Sequence, residues 1–146
     1  MNFVDLLMLG FSEALTPTNL GFCLLGALLG TLIGVLPGIG PTATIAVLLP
    51  ITFYLPPLAG LIMLAGIYYG AQYGGSTTAI LVNLPGEASS VVTAVDGYKM
   101  AQKGRAGSAL AVAALGSFFA GTVATFGIAI AGPTLSSFAL SFGPAE

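Results

Sequence analysis

No charged side chain occurs between Ala14 and Gly86, and none occurs between Ala106 and Ala145. This distribution constrains the fold more than any motif does. The interior charges are confined to Glu87, Asp96, Lys99, Lys103 and Arg105; the others are Asp5, Glu13 and Glu146. Charged residues make up 5% of the chain, against roughly 25% in soluble domains. With 56% hydrophobic residues and a mean hydropathy of +1.02, the chain cannot cover a globule with polar surface. That argues against a soluble enzyme or a nucleic-acid binder. Three basic residues cannot track a phosphate backbone, and a chain this apolar is not disordered. The reading is an all-α, polytopic integral membrane protein with one polar connection.

Targeting signals do not account for the apolar content. The first charge is Asp5, whereas a signal peptide begins with a basic segment. In LGFC (20–23) the bulky Phe22 stands where a lipoprotein site needs a small residue. Cys23 is the single cysteine, so the chain forms no internal disulfide.

Residues 3–15 place Phe3, Leu6, Leu7, Phe11, Ala14 and Leu15 on one helical stripe, the pattern of a helix lying in the membrane interface. TPTN (16–19) ends it. Leu20–Leu36 follows as a span of about 26 Å, slightly short of a ~30 Å hydrocarbon core. PGIGP (37–41) interrupts it. Thr42–Leu55 reaches only about 21 Å before Pro56-Pro57. Leu58–Tyr73, a break at Gly74-Gly75 and a short piece Ser76–Leu84 come next. Ala106–Gly132, about 40 Å long, can cross with tilt. The expected organisation is one membrane domain over 1–146. It comprises an interfacial helix (1–19), broken membrane helices (20–84), a polar loop (85–105), a transmembrane helix (106–132) and a tail (133–146).

The short segments carry the functional signal. Lipid supplies no hydrogen bonds to an opened backbone, so broken helices survive only inside protein or beside a water-filled cavity. VLPGIGPTAT (35–44) and NLPGEASSVV (83–92) both contain Leu-Pro-Gly. Each break, at Pro37 and Pro41 and at Pro85 and Gly86, would expose helix-end N–H or C=O groups to a polar ligand. Discontinuous helices of this kind mark substrate sites in secondary transporters.

Small residues recur every four positions along three ridges. These are Gly26, Gly30, Gly34 and Gly38; Gly66, Gly70 and Gly74; and Ser117, Gly121 and Thr125. Such ridges let helix backbones approach closely. Gly38, Gly40, Gly74 and Gly75 differ from the rest because they lie at breaks or beside polar residues, where unusual backbone geometry near a site competes with simple packing.

GIGPTA (38–43) fits a dinucleotide fingerprint only superficially. The next acid is Glu87, too far away for a ribose partner, and the flanking prolines do not suit the turn. The chain has no His and one Cys, so no metal site is expected. Ser76 sits in GGSTT rather than in a nucleophile elbow, and it has no histidine base. No enzyme activity is expected. YYGAQYGGSTTAILVN (68–83) is the richest polar stretch within apolar sequence. Its tyrosines suit a membrane-interface belt, but amides in hydrocarbon need partners. Ser76 or Gly75 could cap a new half-helix and aim N–H groups at a carboxylate; interhelical hydrogen bonding alone is the competing reading. In the polar connection, Asp96 can cap a short helix that Gly104 ends. Lys99 and Lys103 favour a cytoplasmic side for this loop. Glu87 directly follows Pro85-Gly86 and suits either a coupling-ion role or an ordinary interfacial position.

The blocks GVLPGIGPTATIAVLLPITFYLPP and YYGAQYGGSTTAILVNLPGEASSVVTAVDGYKMAQKGRAGSAL, in that order, resemble the large membrane subunit of the tripartite tricarboxylate transporters, the TctA family. The resemblance covers roughly residues 16–135 and corresponds to the N-terminal portion of longer family members. It implies uptake of small carboxylates across the bacterial inner membrane by a multi-pass secondary transporter. A periplasmic binding protein would deliver substrate, a small membrane subunit would accompany the large one, and an Na⁺ or H⁺ gradient would drive transport without a cofactor. On this reading Gly38, Gly40, Gln72, Gly74, Gly75, Ser76 and Thr77 hold substrate, while Asn83 and Glu87 hold the coupling ion. Two other classes remain open at this point: a small oligomeric proton-coupled exporter using Glu13, and a non-transporting membrane scaffold.

Overall fold

A computed structural model describes residues 3–139. Six α-helices make up the secondary structure of the described residues: α1 (Phe3–Ala14), α2 (Pro17–Gly34), α3 (Pro41–Thr52), α4 (Pro57–Val82), α5 (Ser90–Gln102) and α6 (Ala106–Ala139). The all-helical reading holds. The chain divides into two compact units between Leu110 and Ala111.

Proline sets most of the helix starts in the first unit. Pro17, Pro41 and Pro57 each stand at the head of a helix, where the missing N–H costs nothing and the fixed φ is already helical. α2 therefore begins at Pro17, ahead of the expected Leu20. The α1–α2 corner is tied by two side-chain donors on one carbonyl: Thr16 Oγ1 at 3.0 Å and Asn19 Nδ2 at 2.8 Å, both to the Glu13 backbone oxygen. Asn19 is thereby buried with its amide satisfied.

The centre of this unit is a backbone-to-backbone seam between α2 and α4. Gly26, Gly30 and Gly34 meet Met63, Ile67 and Ala71 in order, so the two helices run parallel. The contact is reciprocal. A Cβ at Gly66 would stand 2.5 Å from the Cys23 carbonyl oxygen, and one at Gly74 would stand 2.6 Å from that of Thr31. Two of the ridges read from the sequence are thus the two halves of one interface, where small residues let the helices pack through their main chains. Gly38, the fourth member of the first ridge, is not part of it. α3 closes the apolar side: Leu48, Met63 and Ile67 form the buried cluster, with Phe22, Leu29, Ile33, Ile45, Leu55 and Leu64 packed around it.

The structure overturns one expected break. Gly74-Gly75 does not interrupt a helix, because α4 runs unbroken from Pro57 to Val82. Two glycines cost an exposed helix about 1 kcal/mol each, but they keep their N–H donors, unlike proline. Here both are buried against neighbouring backbone. Thr77 and Thr78 also return their hydroxyls to the carbonyls of Tyr73 and of Gly74 and Gly75. α4 ends later, at Asn83, whose φ of 58° is left-handed.

The polar connection is more helical than expected. α5 starts at Ser90, not at Asp96, which lies within it. It closes as expected at Gly104, whose φ is 74°. Gly104 N–H donates to the Ala101 carbonyl at 2.9 Å and Arg105 N–H to that of Met100 at 2.9 Å, the paired bonds of a Schellman ending.

Among the described residues, Pro17–Gly34 and Ala106–Gly132 are long and apolar enough to cross a membrane. α3 is too short, at about 18 Å. α4, about 39 Å long, carries the polar stretch and buries one face, including Gly66, Ile67, Gly70, Ala71, Gly74 and Gly75. In the second unit α6 continues past Gly132 and Pro133 to Ala139. It exposes Val112, Leu115, Phe118, Phe119, Ile128 and Ile130. Thr122 and Thr125 satisfy their hydroxyls on the Phe118 and Gly121 carbonyls, as buried or lipid-facing hydroxyls must. The expected tail from 140 onward lies outside the described residues.

Candidate ligand site at the meeting of two helix breaks

Each Leu-Pro-Gly segment lies in a connection between helices. The first connection, 35–40, joins α2 to α3. Val35 N–H still bonds to the Thr31 carbonyl at 3.0 Å and Leu36 N–H to that of Ile33 at 2.9 Å. Gly38 then turns the chain with φ of 84°. Gly40 caps α3 in an extended conformation, and its carbonyl accepts from Thr44 N–H and Thr44 Oγ1, both at 3.1 Å. Thr44 is fully buried. Thr42 and Ala43 supply the first free N–H groups of α3, since Pro41 has none.

The second connection, 83–89, doubles back along α4. The helix ends at Val82, yet Gly86 lies against Gly75. A Cβ at Gly86 would stand 2.6 Å from the Gly75 Cα and 3.2 Å from the Gly34 carbonyl oxygen. Three glycines from α2, α4 and the connection thus share one point. Glu87 continues from it: the Gly40 position faces the Glu87 Cβ at 3.8 Å, and the Gly75 position faces its Cγ at 3.6 Å. Two segments far apart in sequence meet here, beside the C-terminal third of α4.

Polar side chains line the same place. Glu87 Oε1 accepts from Ser89 Oγ at 2.8 Å. The same hydroxyl lies 3.4 Å from Gln72 Oε1, and Gln72 Nε2 donates to the Tyr68 hydroxyl at 3.0 Å. Ser90, 1% exposed, accepts from Glu87 N–H at 3.2 Å and donates to the Glu87 carbonyl at 2.8 Å. The backbone of Glu87 is therefore pinned while its carboxylate reaches a half-buried surface.

Of the residues singled out in the sequence, the structure brings together Gly40, Gln72, Gly75, Gly86 and Glu87. Gly74 belongs to the α2–α4 seam. Ser76 and Thr77 are half-buried on the next turn of α4. Gly38 is an exposed turn glycine with open space around it. Pro37 is exposed, Pro41 buried and Pro85 half-buried. Asn83 is exposed and ends α4 by its left-handed torsion. Sequence reasoning missed Ser89 and Ser90. A serine pair following Pro-Gly-Glu at a helix start was the available signal.

This arrangement offers one carboxylate, one carboxamide, hydroxyls and the N-terminal end of α3 at a single protein-lined junction. Groups of three or more His, Cys, Asp or Glu side chains that could hold a metal ion do not occur among the described residues.

Comparison with known proteins agrees with the resemblance read from the two sequence blocks. The profile of the tripartite tricarboxylate transporter TctA family matches residues 20–146. The chain is 70% identical, over all of its 146 residues, to an uncharacterized 52.8 kDa protein in the TAR-I ttuC' 3' region of Agrobacterium vitis. It spans 29% of that relative's length. No solved structure gives a significant match.

Proposed function

The chain belongs to the tripartite tricarboxylate transporter TctA family, and from this premise we propose that it forms one wall of the substrate path of a carboxylate uptake permease. The transporter would be a multi-pass protein of the bacterial inner membrane. The observation that carries this reading is the meeting of the two helix breaks, where the Gly40 position faces the Glu87 Cβ at 3.8 Å beside Gly75 of α4. Opened backbone at membrane depth is stable only beside protein or a hydrated cavity. A junction that gathers two such openings around polar side chains matches how secondary transporters hold their substrates.

The roles follow from chemistry. The N–H groups at the start of α3 suit a substrate carboxylate, because helix N-termini carry partial positive charge, and the Ser76 hydroxyl can add a donor, whereas the Thr77 proton is already given to the Tyr73 carbonyl. Glu87 suits the coupling cation, Na⁺ or H⁺, as an ionisable group at an otherwise uncharged site. The exposed position of Asn83 makes it a weaker ion ligand than Glu87. A periplasmic binding protein would deliver the substrate, and a small membrane subunit would complete the assembly. A Glu13 exporter or a passive scaffold gives no role to the meeting of these two connections.

The test is uptake of radiolabelled citrate, with a panel of di- and tricarboxylates, by cells making the complete gene product and its two partner components. Ser76→Leu and Glu87→Gln should each lower uptake at least tenfold with the protein still at normal membrane level. Normal uptake by both variants would refute the site. Absence of carboxylate-dependent uptake by the unaltered system would refute the function.

A further inference from the structure

Glu87 emerges from a connection that carries no secondary structure between Asn83 and Ser89. A carboxylate on such a segment can sample many positions unless something holds it. Its backbone is held by Ser90, and Gly86 is seated on Gly75. Neither contact fixes the carboxylate itself. The one hydrogen bond described for that carboxylate comes from Ser89 Oγ at 2.8 Å. The same hydroxyl faces Gln72 of α4 at 3.4 Å, across 17 residues of sequence.

A serine hydroxyl has one proton and two lone pairs. The shorter contact to a charged acceptor takes the proton. Ser89 then has a free lone pair facing the Gln72 carboxamide. Turning that carboxamide over aims Nε2–H at Ser89 and Oε1 at the Tyr68 hydroxyl, 3.0 Å from the other end of the group. Each of the three contacts then has one donor and one acceptor, in a single direction from Tyr68 through Gln72 and Ser89 to Glu87. The chain begins on α4 and ends on the carboxylate.

We propose that Ser89 is a positioning residue that ties the Glu87 carboxylate to Gln72 on α4 and so fixes it beside the first helix break. The proposal rests on the reading of this junction as the transport site. Ser89 itself need not touch substrate or ion. Its effect passes through the carboxylate it holds, and ion and substrate affinities are linked reciprocally, so loosening Glu87 weakens both.

The experiment measures citrate uptake kinetics for the complete protein with its partner components. Ser89→Ala should raise the half-saturating citrate concentration about tenfold, the cost of a lost hydrogen bond to a charged group. Its maximal rate and membrane level should stay within about twofold of the unaltered protein. Ser89→Thr, which keeps the hydroxyl, should recover most of the affinity. In a Gln72→Ala background the further loss from Ser89→Ala should shrink well below tenfold, because the tie is already cut. Should Ser89→Ala be missing from the membrane, Ser89→Cys, with similar size and a weak donor, carries the same measurement. Half-saturation within twofold of normal, or Ser89 and Gln72 effects that simply multiply, would overturn the proposal. If Ser89→Ala is silent while Glu87→Gln and Ser76→Leu abolish uptake, this inference alone falls. If those two variants are silent as well, the site reading falls with it.

Discussion

The two helix breaks share the tripeptide Leu-Pro-Gly, but their glycines are there for different reasons. Gly38 has a φ of 84° and no atom within 4 Å of where a Cβ would stand; it supplies a torsion. Gly86 has no left-handed torsion, and its Cβ position is 2.6 Å from the Gly75 Cα; it supplies space. In the second break the left-handed torsion comes instead from Asn83, with φ of 58°. Identical residues therefore do not imply identical roles. The neighbour decides: open space at the first break, and the buried face of α4 at the second.

Matched substitutions test this contrast most sharply. Gly86→Ala adds one methyl where backbone already fills the space. We expect a loss of about 2–3 kcal/mol, read as a lower unfolding midpoint in detergent, with the connection displaced from α4. Gly38→Ala adds the same methyl into open space, so only the torsion resists it, at about 1–2 kcal/mol. If Gly38→Ala proves the more damaging of the two, the assignment of space to one glycine and torsion to the other is wrong. Asn83→Gly should change the midpoint least, within about 0.5 kcal/mol, because glycine accepts the left-handed conformation freely. A large loss at Asn83 would instead point to a side-chain role there, such as ion binding.

Much of this architecture is legible in the sequence because its signals are covalent or periodic. Pro41 and Pro57 mark helix starts to within one residue, whereas Pro17 starts α2 three residues ahead of the expected Leu20. Glycines spaced by four mark the two faces of the α2–α4 seam. Gly104 ends α5 through its torsion. Gly74-Gly75 misleads because glycine is read locally as a weak point, whereas here its lack of a side chain serves tertiary packing against Thr31 and Gly86. The start of α5 is misplaced for a local reason. Asp96 has the chemistry of a cap, but the helix already begins at Ser90, whose hydroxyl bonds to the Glu87 backbone three residues earlier. The serine pair marks Ser89 as a residue at a helix start, but its partner Gln72 is 17 residues away in sequence and arrives only through the fold.

The central claim is that the two breaks touch. The Gly40 Cβ position lies 3.8 Å from the Glu87 Cβ, within the roughly 3.5–4.5 Å that a disulfide spans. In a Cys23→Ala background, the pair Gly40→Cys and Glu87→Cys should form an intramolecular disulfide on mild oxidation in native membranes, detected by peptide mapping. The pair Gly38→Cys and Glu87→Cys should not, since Gly38 has no such neighbour. Failure of the first pair to crosslink, or equal crosslinking of both, would contradict the meeting of the two breaks.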